Sequence, residues 1–321
     1  MLSVAEIAES TTRNSRIAAG HSGRGTQATR ASSNTNRSEG ATPGAPPTIE
    51  PLPRFATPDA VPLAPYEPTA EITQTTDQII EIWRLRQDMV SAQTKLTLQA
   101  LALLRRAVGG DKKEAAAIFA AVKNGEPHRL AAHVLPHLAA LEPIERQRAA
   151  YEKSLVKLVR TLPIHAWAKS VKGLGDLSLA GIVGECGDVG TYKSVSAVWK
   201  RMGLAVIDGK AQGRPGQGAT PDDWVTHGYN KRRRSVSRVG LQYVIGSMGL
   251  YRAPFGADDP GATEYQKVFT DRARYEAQAL GLPVKESKTG KDSYDAHVAN
   301  RALRYVEKRV LKHLYLEWRR S

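Results

Sequence analysis

The sequence has one cysteine, Cys186, so no disulfide can close within the chain and no cysteine-rich zinc site can be built. Aromatic residues are scarce, at 6% against a hydrophobic total of 41%, which is adequate for a core but not generous. No apolar run approaches the roughly 18–20 residues a membrane-spanning helix needs. The opening MLSVAEIAES lacks a positive segment followed by an apolar one, so no secretory signal is expected, and Glu6 and Glu9 speak against an organelle-targeting peptide. The expected compartment is the reducing cytoplasm, with no membrane partner. Walker loops, HExxH and His/Cys ligand spacings are all missing, as are internal repeats. No cofactor and no metal is therefore expected, and no catalytic residue can be named. Asp208, Asp222 and Asp223 flank a glycine-rich loop, and Glu185 and Asp188 stand nearby; these read as surface and capping acids.

What the chain does have is positive charge. The formal net charge is +14, and residues 1–71, with six basic and seven acidic side chains, contribute −1 of it, leaving +15 on the remainder. A basic folded body points first to polyanions. The organisation predicted is mostly α. Residues 1–71 form a Ser-, Thr-, Gly- and Pro-rich disordered tail. Residues 72–162 form a helical spacer, and 163–321 a compact domain with a long C-terminal helix. In the spacer, Ile82, Met89, Leu96 and Leu103 repeat every seven residues beside a mixed column of Ile79, Arg86, Gln93 and Ala100. That pattern suits either ordinary helix packing or a coiled-coil-like hairpin through which the chain forms a homo-oligomer. The helix stops at Gly109-Gly110, shorter helices follow around 115–122 and 130–141, and Pro143 is expected to open another.

From Pro163 the texture changes. The stretch VKGLGDLSLAG, Val171 to Gly181, places two glycines between helical patterns, giving helix–hairpin–helix over 164–187. In such a turn the glycines allow close backbone approach to a phosphate, and the amides opening the second helix form an anion site beside Lys172. A ligand-free glycine corner remains the alternative. A β-like LAVID (204–208) leads into a loop, 209–223, whose composition predicts mobility. Then comes GYNKRRRSVSR: four successive cations open a helix, against the preference of helix N-termini for acids, so an anion is expected to offset them. The alternative is a solvated charge run. Helices should follow near 263–280 and 293–319, the last basic and amphipathic, lying on a membrane or, as favoured here, packing its apolar face on the core.

The run VKGLGDLSLAGIVGECGDVGTYKSVSAVWKRMGL, followed by the glycine-rich loop and GYNKRRRSVSR, resembles the C-terminal domain of insertion-sequence transposases of the IS-one-hundred-ten type, with their one-sixteen and nine-oh-two relatives. Gly173, Gly175, Ala180, Gly187, Asp188, Tyr192, Lys193, Ser194, Gly203, Leu204, Lys231, Arg232 and Arg238 fall into register, over roughly residues 160–250. The resemblance implies a mobile-element protein acting in DNA transposition or recombination, and hence associated with the nucleoid. Its DNA-binding residues would be Lys172, Gly173, Leu174, Gly175, Lys193, Ser194, Lys210, Arg214, Lys231, Arg232, Arg233, Arg234 and Arg238, making backbone contacts. It also allows a guide-type structured RNA as a partner. Two departures stand out: the nuclease-like carboxylate domain of the family has no counterpart ahead of the spacer, and Lys210 and Ala211 occupy the positions of its loop serines. The chain is therefore expected to bind without a complete active site of its own. The rivals are a serine-type recombinase completed by a partner chain, and a structural or RNA-binding protein reusing the scaffold.

Overall fold

The computed structural model describes residues 65–246, 261–286 and 292–321. The expected tail, residues 1–71, lies almost wholly outside them. The described chain is mostly helical, in two compact units: residues 91–145, and residues 65–90 together with 146–321. Residues 65–90 and 146–162 thus share a core with the region after 163.

Helix α1 (Ala70–Ala107) starts after Thr69, whose hydroxyl accepts the Ile72 amide at 3.2 Å. Along it the apolar column is the less buried one. Ile79 and Ala100 of the mixed column are fully buried, while Leu103 is exposed. Arg86 instead pairs with Glu152 at 2.7 Å, within the second unit, and Gln93 donates to Glu145 at 3.1 Å within the first. In that first unit α2 (Lys112–Lys123) is capped by Asp111, which accepts the Lys113 and Glu114 amides. These bonds hold its carboxyl below the usual range. Phe119, Ile118 and Val122 of α2 close a small core with Leu101, Leu104, Val134 and Leu141.

Helix α3 (Leu135–Val159) departs from expectation, because Pro143 lies inside it rather than at its start. The helix begins eight residues earlier, with Pro136 in its first turn, where proline costs no helical hydrogen bond. Burial of Leu141 and Leu155 along the same helix outweighs the bond lost at Pro143.

The second unit is built on α10 (Ala296–Trp318). Ala299, Leu303, Val306, Val310, Leu314 and Trp318 form its buried face, so this helix packs on the core as favoured above. Around it lie α4 (His165–Ser170), α5 (Asp176–Cys186), α6 (Val195–Arg201), α7 (Pro221–His227), α8 (Lys231–Gln242) and α9 (Glu264–Ala279). Helix α5 carries small residues because Trp83 lies across it. A Cβ on Gly184 would stand 2.3 Å from the Trp83 side chain, and one on Gly181 would stand 3.0 Å away. Two-residue strands β1 (Val206–Ile207) and β2 (Lys210–Ala211) pair antiparallel, as do β3 (Lys285–Glu286) and β4 (Asp292–Ser293). The loop read as mobile thus begins as a hairpin and ends inside α7. Asp208 and Gly209, both at positive φ (49° and 73°), make its turn. Among the described residues no helix is long and apolar enough to cross a membrane.

Candidate nucleic-acid interface

The glycine turn joins α4 to α5. Gly173 has φ +91°, and a Cβ there would lie 2.2 Å from the Tyr243 carbonyl oxygen. The close approach it permits is therefore to the protein's own backbone at Tyr243. Leu174 is buried, and Lys172 projects to solvent. Gly175 is different. It is the N-cap of α5 in extended conformation (φ −75°), no side chain caps the helix there, and nothing lies within 4 Å of a Cβ at that position. Next to it, Asp176 accepts from Arg160 Nε at 2.7 Å and bonds the His165 ring at 3.0 Å. Burial would raise the Asp176 carboxyl, but those two partners outweigh it and hold it below its ordinary value.

The anions that offset the cations of α8 are internal. Asn230 caps the helix, accepting the Arg232 and Arg233 amides. Glu185, nearly fully buried on α5, pairs with Arg232 Nε at 2.8 Å and Arg233 Nε at 3.5 Å, and accepts from Trp83 Nε1 at 3.0 Å. Glu307, wholly buried on α10, takes both Arg234 amino groups and the Ser237 hydroxyl at 2.9 Å. Arg238 donates to the Asn300 side-chain oxygen. So Arg234 and Arg238 are tied into the fold, Arg233 is mostly covered, and Arg232 is half exposed while paired. Glu185, read above as a surface acid, is a buried counter-ion. A carboxylate left alone at either place would carry a desolvation cost of several kcal/mol, about what its arginines must offset.

The hairpin loop is pinned rather than loose. Gln212, 3% exposed, accepts the Ala205 amide at 3.1 Å and donates to the carbonyls of Lys200 and His227. From α10, Arg304 reaches the carbonyls of Gly203, Ala205 and Gln212 at 3.3–3.5 Å. Beyond Gln212 the chain opens into a concavity of about 510 Å³ lined by Lys210, Arg214, Gly216, Gly218, Asp223 and His227. Asp223 is engaged in the capping box of α7 with Thr220, and both Lys210 and Arg214 are exposed.

Cations crowd this unit. Burial, and then Arg201, lowers the Arg233 pKa; burial and Arg234 lower that of Arg304; burial and Arg304 lower that of Lys308. The Lys308 ammonium lies 5.0 Å from the Trp199 ring centroid. Among the described residues Lys172, Lys193, Lys210, Arg214 and Lys231 are exposed and none has an ion-pair partner. Ser194 caps α6 through its hydroxyl, accepting the Ala197 amide. Asp188 is a capping acid, as read above, and is partly buried. It caps a short 3-10 turn, accepts from the Tyr66 hydroxyl at 3.0 Å, and is raised by burial. The Cys186 thiol is buried and pushed up to about 12. Among the described residues no group of three His, Cys, Asp or Glu side chains is placed to hold a metal ion.

Sequence reasoning missed Glu307 and Trp224, and it placed Arg304 on the wet basic face of the C-terminal helix rather than against the loop carbonyls. Glu307 had a signal: Leu303, Val306 and Val310 surround it at helical spacing, so an acid there faces inward. Asp208-Gly209 between two short β-like runs likewise marks the hairpin. Trp224 and Arg304 had none that spacing reveals. No family model, no curated protein and no solved structure matches this chain.

Proposed function

We propose that this chain is a nucleic-acid-binding protein of the insertion-sequence transposase type, which holds DNA by its backbone and lacks a complete active site of its own. The observation that carries the reading is the set of five exposed cations without acid partners, Lys172, Lys193, Lys210, Arg214 and Lys231, on a unit where Arg232, Arg233 and Arg234 are paired with buried carboxylates. Unpaired surface cations of one sign attract phosphates and carry no sequence preference. The α4–turn–α5 segment, read as helix–hairpin–helix, contributes through the uncapped start of α5 at Gly175, with Lys172 beside it. Gly173 serves the fold. Arg232, Arg234 and Arg238 act by positioning α8, and Lys231 presents the charge.

The test is binding of the full chain to duplex DNA and to a folded RNA across a salt series. Contacts with about six phosphates give a log–log slope on the order of −5 for the duplex. A flat response to both ligands overturns the reading. Tighter binding to the folded RNA at equal salt moves it to the RNA-binding alternative.

A further inference from the structure

Helix α7 is ordered without a core. None of its seven residues is buried, yet Trp224 is 41% exposed and Val225 77%. A helix this short has little stability of its own. Here its ends supply it: Pro221 in the first turn, the reciprocal Thr220–Asp223 capping box, and Gly228 in the left-handed conformation at φ +55°. The chain thus fixes a helix that leaves 41% of its tryptophan open to water. Over that ring lies the Arg214 guanidinium, 5.8 Å from the centroid, and Arg214 and Lys210 also line the adjoining concavity.

We propose that Trp224 is a stacking platform for an unpaired nucleobase, with Lys210 and Arg214 holding the phosphates on either side of it. An aromatic face beside exposed cations matches a single-stranded nucleotide, which offers both a bare π-face and a charge. Paired bases in a duplex have their faces covered by their neighbours, so they cannot use the ring. A membrane surface fits less well, because α7 offers no continuous apolar stripe and begins with Asp222 and Asp223. The concavity, at about 510 Å³, is within the range of about 300–1,000 Å³ typical of small-ligand sites. The inference rests on the nucleic-acid reading above and narrows it: this protein meets DNA or RNA where strands are open.

The full chain, Trp224→Ala and Trp224→Phe are titrated by fluorescence anisotropy with a blunt duplex and with the same duplex carrying a single-stranded overhang. The unmodified chain binds the overhang about tenfold tighter; Trp224→Ala loses that preference, and Trp224→Phe keeps most of it. Affinity for the blunt duplex stays the same in all three. No residue of α7 belongs to the buried core, so the variants are expected to fold, and an unchanged thermal midpoint checks this. Equal binding of both probes by the unmodified chain, or an intact preference in Trp224→Ala, overturns the platform while leaving duplex binding standing. An intact preference together with a shifted sedimentation coefficient in Trp224→Ala overturns it in favour of a protein contact. Binding to neither probe overturns both readings.

Discussion

The opening of α8 and the hairpin loop just before it look alike in sequence: both are basic and both lie beside glycines. In the fold they are opposites. Arg232, Arg233 and Arg234 lean on carboxylates buried in α5 and α10, whereas Lys210 and Arg214 face water with no acid partner. The glycines divide the same way. Gly173 is pressed against the Tyr243 backbone, while Gly216 has open space around it. A charge run or a glycine cluster is thus ambiguous until its counter-ions and neighbours are known. One member of the pair is an internal fastening and the other is left open to water.

The hardest blow to that contrast comes from Glu307→Ala. It strands Arg234 in a dry site, and the unfolding free energy falls by about 3–5 kcal/mol in urea titration. A loss under about 1 kcal/mol would mean that Arg234 reaches water and belongs with the exposed set. Gly173→Ala comes next, at about 3 kcal/mol, from the clash with Tyr243 and the positive φ together. Gly216→Ala, read by the same urea titration, stays within about 0.5 kcal/mol. Equal losses at the two glycines would erase the distinction between them.

Asp176→Asn sharpens the comparison more gently, at about 1 kcal/mol near neutral pH, since the Arg160 and His165 partners are partly solvated. The folded carboxyl lies below its unfolded value, so its contribution is present above the unfolded pKa and vanishes as pH falls through the folded one. Melts of the two proteins should therefore converge in acid; a constant gap would assign the loss to packing. Least of all in stability is the double change Lys210→Ala with Arg214→Ala. The melting midpoint stays put, and the salt dependence of duplex binding becomes shallower by about 2 in log–log slope, one unit per phosphate lost. A destabilised double variant would place these residues among the fastenings.

Much of the helical order was legible in advance, because periodicity and caps are local. Asn230 before α8, Thr263 before α9 and the apolar face of α10 all stand in the sequence. Pro143 misled because proline only disfavours a helix interior, and burial further along overrode it. The candidate site was legible only as a set of charges. Which arginines turn inward depends on Glu185 and Glu307, more than 45 and 70 residues away in sequence from Arg232 and Arg234. Spacing cannot reveal a partner at that distance. Likewise the reason for Gly173 is Tyr243, a neighbour only in the folded chain.

Cys186 has one more use. It is the chain's single cysteine, it is 8% exposed, and its thiol is held almost entirely protonated at neutral pH. Alkylating reagents attack the thiolate, so they should pass it by in the native protein. A cysteine placed at position 210 or 225 would then take a spin label or a cross-linker alone, with no native residue to remove first. The silence of the native cysteine in α5 is what leaves such a label free of background.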